Sequence, residues 1–153
     1  MTYNLFKFLH VAGVIVWIGS VTTLTVLNMR LARESADGAG AAALARVTGA
    51  FGRTVVGPAA GLTLLAGIVT SIVGGLDMAA LWITWGFAAI LISMALGMTV
   101  LRRTTASLEA ALAGPAAAPE QVPSLRSRLT TLNLVNLVIL LSAVAAMVFK
   151  PTL

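Results

Sequence analysis

Four long apolar runs, none containing a charged side chain, dominate the chain. They cover residues 11–29, 54–76, 78–101 and 129–149. A helix needs about 20 such residues to cross the hydrocarbon core of a bilayer. The ten-residue alternation typical of membrane barrels does not occur in the sequence. The pattern therefore predicts an all-α fold, an integral membrane four-helix bundle formed by one domain, residues 1–153.

The charged residues at the ends of these runs set the expected boundaries of the spans. We expect spans at about residues 4–31, 53–74, 78–102 and 128–149, with longer connections at 32–52 and 103–127. Residues 41–52 and 107–114 can form short helices within these connections. Glycine and proline after residue 113 then interrupt helix formation.

The composition supports a membrane protein and excludes several other classes. Of 153 residues, 59% are hydrophobic and 10% are charged, against about 25% charged residues in soluble domains. The lipid bilayer is therefore the expected partner. Cysteine is absent, which excludes disulfides and thiolate sites. The net charge is +5, but the basic residues flank apolar spans and form no nucleic-acid-binding motif.

The basic residues are distributed unequally between the two sides of the predicted membrane. All eight arginines lie between spans one and two or between spans three and four, whereas Lys7 and Lys150 lie on the other side. The positive-inside rule predicts arginine-rich loops in the cytoplasm and both termini on the outer side. We expect a multi-pass protein of the bacterial cytoplasmic (inner) membrane. The first span is too long for a cleavable signal peptide.

The first span carries a sparse polar stripe. His10 is the only histidine in the chain. At 100° per residue, Trp17 lies about 20° from His10, and Asn28 lies in line with it. Polar groups in a membrane find partners inside the bundle, so we expect this stripe to face the interior.

An outer-half pocket near His10 is the candidate cofactor site. Imidazole and thioether ligands suit haem iron or Cu(I). Small residues leave room for a flat macrocycle between facing helices, which favours haem over Cu(I). Lys7 lies one turn above His10 and can pair with a propionate. His10 is the predicted metal ligand, and the predicted cofactor-binding residues are His10, Lys7, Trp17, Trp82, Trp85 and Met147. No catalytic residue is predicted.

Structural roles for the same residues are the competing interpretation. A lone membrane histidine can hydrogen-bond to a neighbouring helix, and methionine is a common packing residue. Trp82 and Trp85 suit an interfacial aromatic belt. Asn133 and Asn136 suit hydrogen bonds between helices.

Three stretches resemble a known superfamily. Residues 9–19 (LHVAGVIVWIG), 55–67 (VVGPAAGLTLLAG) and 147–151 (MVFKP) are similar to the first helix, the second helix and the C-terminal end of CopD- and HemJ-like membrane proteins. In this four-helix superfamily the chain most resembles the uncharacterised bacterial integral membrane family 2269, a domain of unknown function. The resemblance extends over nearly the whole chain.

The resemblance implies haem but not a specific reaction. The HemJ-type proteins are b-haem-binding protoporphyrinogen oxidases that use a first-helix histidine, which corresponds to His10. They also use a third-helix lysine after a Trp-Leu pair. Residues 81–87 read LWITWGF and contain no lysine, which argues against this oxidase reaction. Copper import of the CopD type is disfavoured because further histidines and a dense methionine motif are missing.

The leading hypothesis is a small b-type haemoprotein acting in electron transfer or porphyrin- or haem-linked redox chemistry. Its sixth iron position is open, filled by Met147, or filled by His10 of a second protomer. Any enzyme activity would be that of a haem-dependent oxidoreductase. A second hypothesis is a non-catalytic subunit or scaffold in a homo-oligomer or larger membrane complex. A third is a small-solute or copper carrier, although the sequence contains no inverted repeat.

Overall fold

The computed structural model describes residues 1–33, 39–113 and 119–151. Across these ranges the regular structure is helical and no strand is present, which confirms the all-α prediction. The α-helices are α1 (Thr2–Arg33), α2 (Ala39–Phe51), α3 (Gly57–Val73), α4 (Leu81–Leu96), α5 (Arg102–Ala113) and α6 (Val122–Phe149). A 3₁₀ turn, Pro119–Gln121, precedes α6.

Two π-helical turns join helices end to end. Gly52–Val56 connects α2 to α3, and Gly97–Leu101 connects α4 to α5. The four helical segments long and apolar enough to cross a membrane are Thr2–Arg30, Ala42–Val73, Leu81–Leu112 and Val122–Phe149. The two composite segments have 32 residues each, about 48 Å at 1.5 Å per residue. Since the hydrocarbon core is about 30 Å thick, the helices extend beyond it.

The bundle is closed more tightly on three sides than on the fourth. Helix α1 packs against α3 and α6, and α6 packs against α4, whereas α3 and α4 make limited contact. The central core draws on all four spans: Trp17, Val21, Ala59, Ala60, Ile90 and Leu140. Within an apolar 18-residue stretch of each span, at most 33% is buried inside the protein, and the exposed apolar remainder suits a lipid environment.

A second, smaller core forms where the helices extend at the arginine-rich end. Helix α2 packs against α5, which packs against α6. Leu108, Ala111, Val122 and Leu129 form the buried cluster there. Helix α5 matches the helix expected near residues 107–114, and α2 matches the one expected at 41–52.

A tight turn connects α3 to α4 at the opposite end. Gly75 has a φ of 59°, a left-handed conformation that glycine adopts without steric cost. The carboxylate of Asp77 accepts a hydrogen bond from the Ala79 N–H at 2.9 Å. With this short connection, the helices alternate in direction. All arginines with described side chains therefore lie at one end of the bundle, and Lys7 and Lys150 lie at the other.

Candidate functional site

His10 lies in the close interface between α1 and α3. Its Nδ1 is 2.8 Å from the backbone carbonyl oxygen of Thr63. Because a carbonyl only accepts, Nδ1 carries the hydrogen and donates it. A Cβ at Gly67 would lie 3.0 Å from the imidazole ring, so glycine makes room for His10. The Nδ1 bond fixes the tautomer and leaves Nε2 for another partner.

Lys7 lies one helical turn from His10 and has an aromatic neighbour. Its Nζ lies 5.8 Å from the centre of the Tyr3 ring, within the range of a cation–π contact. The Tyr3 ring in turn packs against Gly74, where an added Cβ would lie 2.7 Å from it. These contacts place Lys7 at the end of the α1–α3 interface opposite the arginine-rich end.

Three other predicted cofactor residues lie between α4 and α6. The Nε1 of Trp85 donates a hydrogen bond of 3.2 Å to Ser142 Oγ. Lys150 Nζ lies 5.3 Å from the centre of the Trp82 ring. Met147 packs against Gly86, where an added Cβ would lie 2.6 Å from the methionine methyl group. Each of these side chains therefore has a packing or hydrogen-bonding role within this interface.

The structure divides the predicted cofactor set between two interfaces. His10 and Lys7 belong to α1–α3, while Trp82, Trp85 and Met147 belong to α4–α6. Only Trp17, which is 3% exposed, lines the main cavity described below. Within residues 1–33, 39–113 and 119–151, no group of three or more histidine, aspartate or glutamate residues is arranged to hold a metal. Haem binding at His10 stays a prediction.

The main cavity lies towards the arginine-rich end and has a volume of about 460 Å³. All four spans contribute to its lining. Polar side chains line it: Asn28, Ser93, Asn133 and Asn136. Charged side chains also line it: Arg53, Arg102 and Glu109. The volume falls within the roughly 300–1,000 Å³ of typical small-molecule sites.

The two π-helical turns face this cavity. Gly52 and Val56 line it from the first turn, and Gly97 and Leu101 line it from the second. A π turn contains an extra residue relative to an α turn and is frequent at functional sites. Here the π turns lie in the two spans that make limited contact with each other. The cavity lies beside both turns, inside the bundle.

Three buried amides provide the cavity with hydrogen-bonding capacity. Asn28, Asn133 and Asn136 are 8%, 5% and 4% exposed. Asn136 Oδ1 accepts a hydrogen bond from the Ser93 hydroxyl, which leaves its amide N–H groups as donors. No hydrogen bond joins the side chain of Asn28 or Asn133 to another part of the described chain. Buried amides generally have partners, so these groups are suited to water or a bound solute.

The charged part of the cavity has an excess of positive charge. Arg53 lies in the π turn that leads into α3, and Arg102 begins α5. Both side chains are exposed and line the cavity. Glu109 is the single acidic lining residue among those described, and its carboxylate packs against Gly49 of α2. Two guanidinium groups and one carboxylate leave a net charge of about +1 along this lining.

Sequence reasoning identified part of this site but gave it another role. Asn133 and Asn136 were expected to hydrogen-bond between helices, and the Asn136–Ser93 contact confirms this for one of them. Trp17 and Asn28 were expected to face the interior, as they do. Ser93, Arg53 and Arg102 were not singled out. The sequence offered one clue to the cavity: three asparagines lie in the halves of their spans that are nearer the arginine-rich end.

Comparison with protein families gives a match over residues 4–151. This chain belongs to the DUF2269 family, described as predicted integral membrane proteins. The resemblance to family 2269 is thereby confirmed, and with it the membrane character of the chain. Searches of curated proteins and of solved structures returned no match. The family description specifies no ligand, so the case for function depends on the site.

Proposed function

We propose that this protein binds a small solute within the membrane, in the cavity at its arginine-rich end. The observation that carries the proposal is the set of asparagine side chains, more than nine-tenths buried, around a cavity of about 460 Å³. Exposing amides to hydrocarbon is costly, whereas exposing them to a polar solute is favourable. The small-solute hypothesis is therefore the one that the geometry supports best.

We further infer that the cavity opens towards the cytoplasm of a bacterial cell. The cavity lies at the end that carries the arginines, and the positive-inside rule assigns this end to the cytoplasmic face. A solute would then reach Ser93 and Asn136 from the cytoplasm, passing Arg53 and Arg102. The limited contact between α3 and α4 offers a second route from the lipid.

The absence of cysteine from the chain allows a direct test. A Ser93→Cys variant places a thiol of similar size on the cavity wall. Ile92→Cys, at a position that is 48% exposed on the apolar surface, is the matched control. A thiol reacts as its thiolate, which needs a polar environment. We expect a membrane-impermeant thiosulfonate reagent to label Ser93→Cys faster than Ile92→Cys, by a factor on the order of ten or more.

The same variants test the orientation. We expect labelling of Ser93→Cys in inside-out membrane vesicles and protection in intact spheroplasts. The solute-binding proposal fails if Ser93→Cys reacts only after denaturation. The orientation fails if labelling occurs in spheroplasts and not in inside-out vesicles. A water-soluble solute that slows labelling of Ser93→Cys, and leaves a thiol at an exposed loop unchanged, would identify a ligand.

Haem binding through His10 is a second proposal, favoured by one observation. Metal-ligating histidines usually donate their other N–H to a carbonyl or carboxylate, and His10 Nδ1 donates to Thr63 O. Bound haem would contribute redox chemistry, and His10 Nε2 would be its protein ligand. The visible spectrum of protein expressed with ample haem tests this. A Soret band that is lost in His10→Ala supports it, and a band unchanged by this substitution contradicts it.

A further inference from the structure

We propose that the solute bound in the cavity is a small organic anion whose charged group lies between Arg53 and Arg102. This inference rests on the proposed solute-binding function and specifies its ligand. Both residues line the same cavity: Arg53 from the π turn that leads into α3, and Arg102 from the start of α5, which continues the α4 span. They belong to different helices and are separated by about fifty residues along the chain. The fold, not local sequence, therefore brings this positive charge together.

The two arginines are available to a ligand. Neither forms an ion pair with a carboxylate in the part of the chain that the structure describes. Glu109, the acid on the same wall, packs against Gly49. Arginine binds carboxylate and phosphate groups through two parallel hydrogen bonds. The positive potential at the cavity also raises the local concentration of anions over cations.

The deeper wall complements the remainder of such a ligand. Ser93 occupies one lone pair of Asn136 Oδ1, so the Asn136 amide presents N–H donors. Asn133 and Trp17 line the same cavity, and both side chains carry N–H donors. These groups favour hydroxyl or carbonyl oxygens on the ligand. The expected class is an anion with an oxygen-rich body, not a simple inorganic ion.

Two sources can supply this chemistry. A phospholipid headgroup could approach from the membrane between α3 and α4, and a soluble metabolite could approach from the aqueous side. Both carry the same phosphate or carboxylate. Phosphatidylglycerol and sn-glycerol 3-phosphate form a suitable pair of probes, because they share a glycerol phosphate group and differ in membrane anchoring.

The experiment compares an anionic with a cationic thiosulfonate reagent on Ser93→Cys in nanodiscs of phosphatidylcholine. We expect the anionic reagent to react preferentially. Replacing both arginines, Arg53→Gln with Arg102→Gln, should lower the anionic-to-cationic rate ratio by roughly tenfold at low salt. Arg46→Gln with Arg103→Gln is the matched control, since it removes the same charge at the same end but outside the cavity lining. The control should change the ratio less than twofold.

The outcomes separate this inference from the proposal on which it rests. If neither reagent labels Ser93→Cys, solute access itself is wrong. If both reagents label it but the cavity arginine pair has no larger effect than the control pair, the anion proposal is overturned and solute access stands. Slower labelling with added sn-glycerol 3-phosphate supports a soluble anion. Slower labelling only when phosphatidylglycerol is added to the nanodisc supports a lipid headgroup.

Discussion

Helix α3 packs very differently on its two sides. Towards α1, Gly13 lies against Thr63 and the ring of His10 lies against Gly67, so the two helices are in close contact. Towards α4 the contact is limited, and a cavity with polar walls lies between the helices. One helix thus contributes both to the tightest interface of the bundle and to its most open one. The candidate binding groups lie on the open side.

Sequence spacing explains the difference. Seven residues make nearly two helical turns, so positions seven apart share a face. Rings on α1 recur at this spacing, and small residues on α3 and at its C-cap recur at the same spacing in the opposite direction. The two sets are Tyr3, His10 and Trp17, and Gly74, Gly67 and Ala60. Beyond this stretch, at the level of the cavity, the π turns at Gly52–Val56 and Gly97–Leu101 interrupt the helical register.

The largest expected effect on stability comes from disrupting the close contact between α1 and α3. In Gly13→Val, the new Cβ would lie 2.6 Å from Thr63 Oγ1 and 3.2 Å from the Thr63 backbone nitrogen. Because backbone cannot rotate away as a side chain can, α1 must shift. We expect a loss of roughly 3 kcal/mol in unfolding free energy, measured by denaturant-induced unfolding in detergent micelles.

Gly19→Val is the control for this substitution. Gly19 lies on the same helix, and nothing is within 4 Å of a Cβ placed there. The intrinsic helix preference changes equally in both variants, so their difference measures the contact alone. Equal stabilities of the two variants would show that α1 and α3 are not as close as described.

The fold was largely predictable, for a physical reason. A bilayer requires about 20 apolar residues per helix, and the runs between charged residues supply four such segments. The expected helix near residues 107–114 also formed, as α5. Which residues of each helix face the cavity was less predictable, because a constant angle of 100° per residue does not hold through a π turn. Periodicity could therefore place Trp17 and Asn28, on uninterrupted α1, but could not place Arg53 or Arg102.

An effect of intermediate size on stability is expected from removing the hydrogen bond of His10. In His10→Leu, the donor to Thr63 O is lost, and a branched side chain faces Gly67. A typical hydrogen bond contributes about 1 kcal/mol to stability, so we expect a destabilisation of about that size. Phe8→Leu, at a position that is 66% exposed, should change stability by less than about 0.5 kcal/mol. Equal changes in stability for His10→Leu and Phe8→Leu would mean that His10 has no structural role in the interface.

The smallest effect on stability is expected on the open side, in Asn133→Leu. Asn133 is 5% exposed, yet no described side chain bonds to it. Leucine has the same branched shape and number of side-chain heavy atoms and removes no protein hydrogen bond, so unfolding free energy should change by less than about 0.5 kcal/mol. Leucine does make the cavity wall apolar. Combined with Ser93→Cys, it should slow labelling several-fold, whereas Val135→Leu on the exposed face of α6 should not. A large loss of stability would instead make Asn133 a structural group and remove the contrast between the two sides of α3.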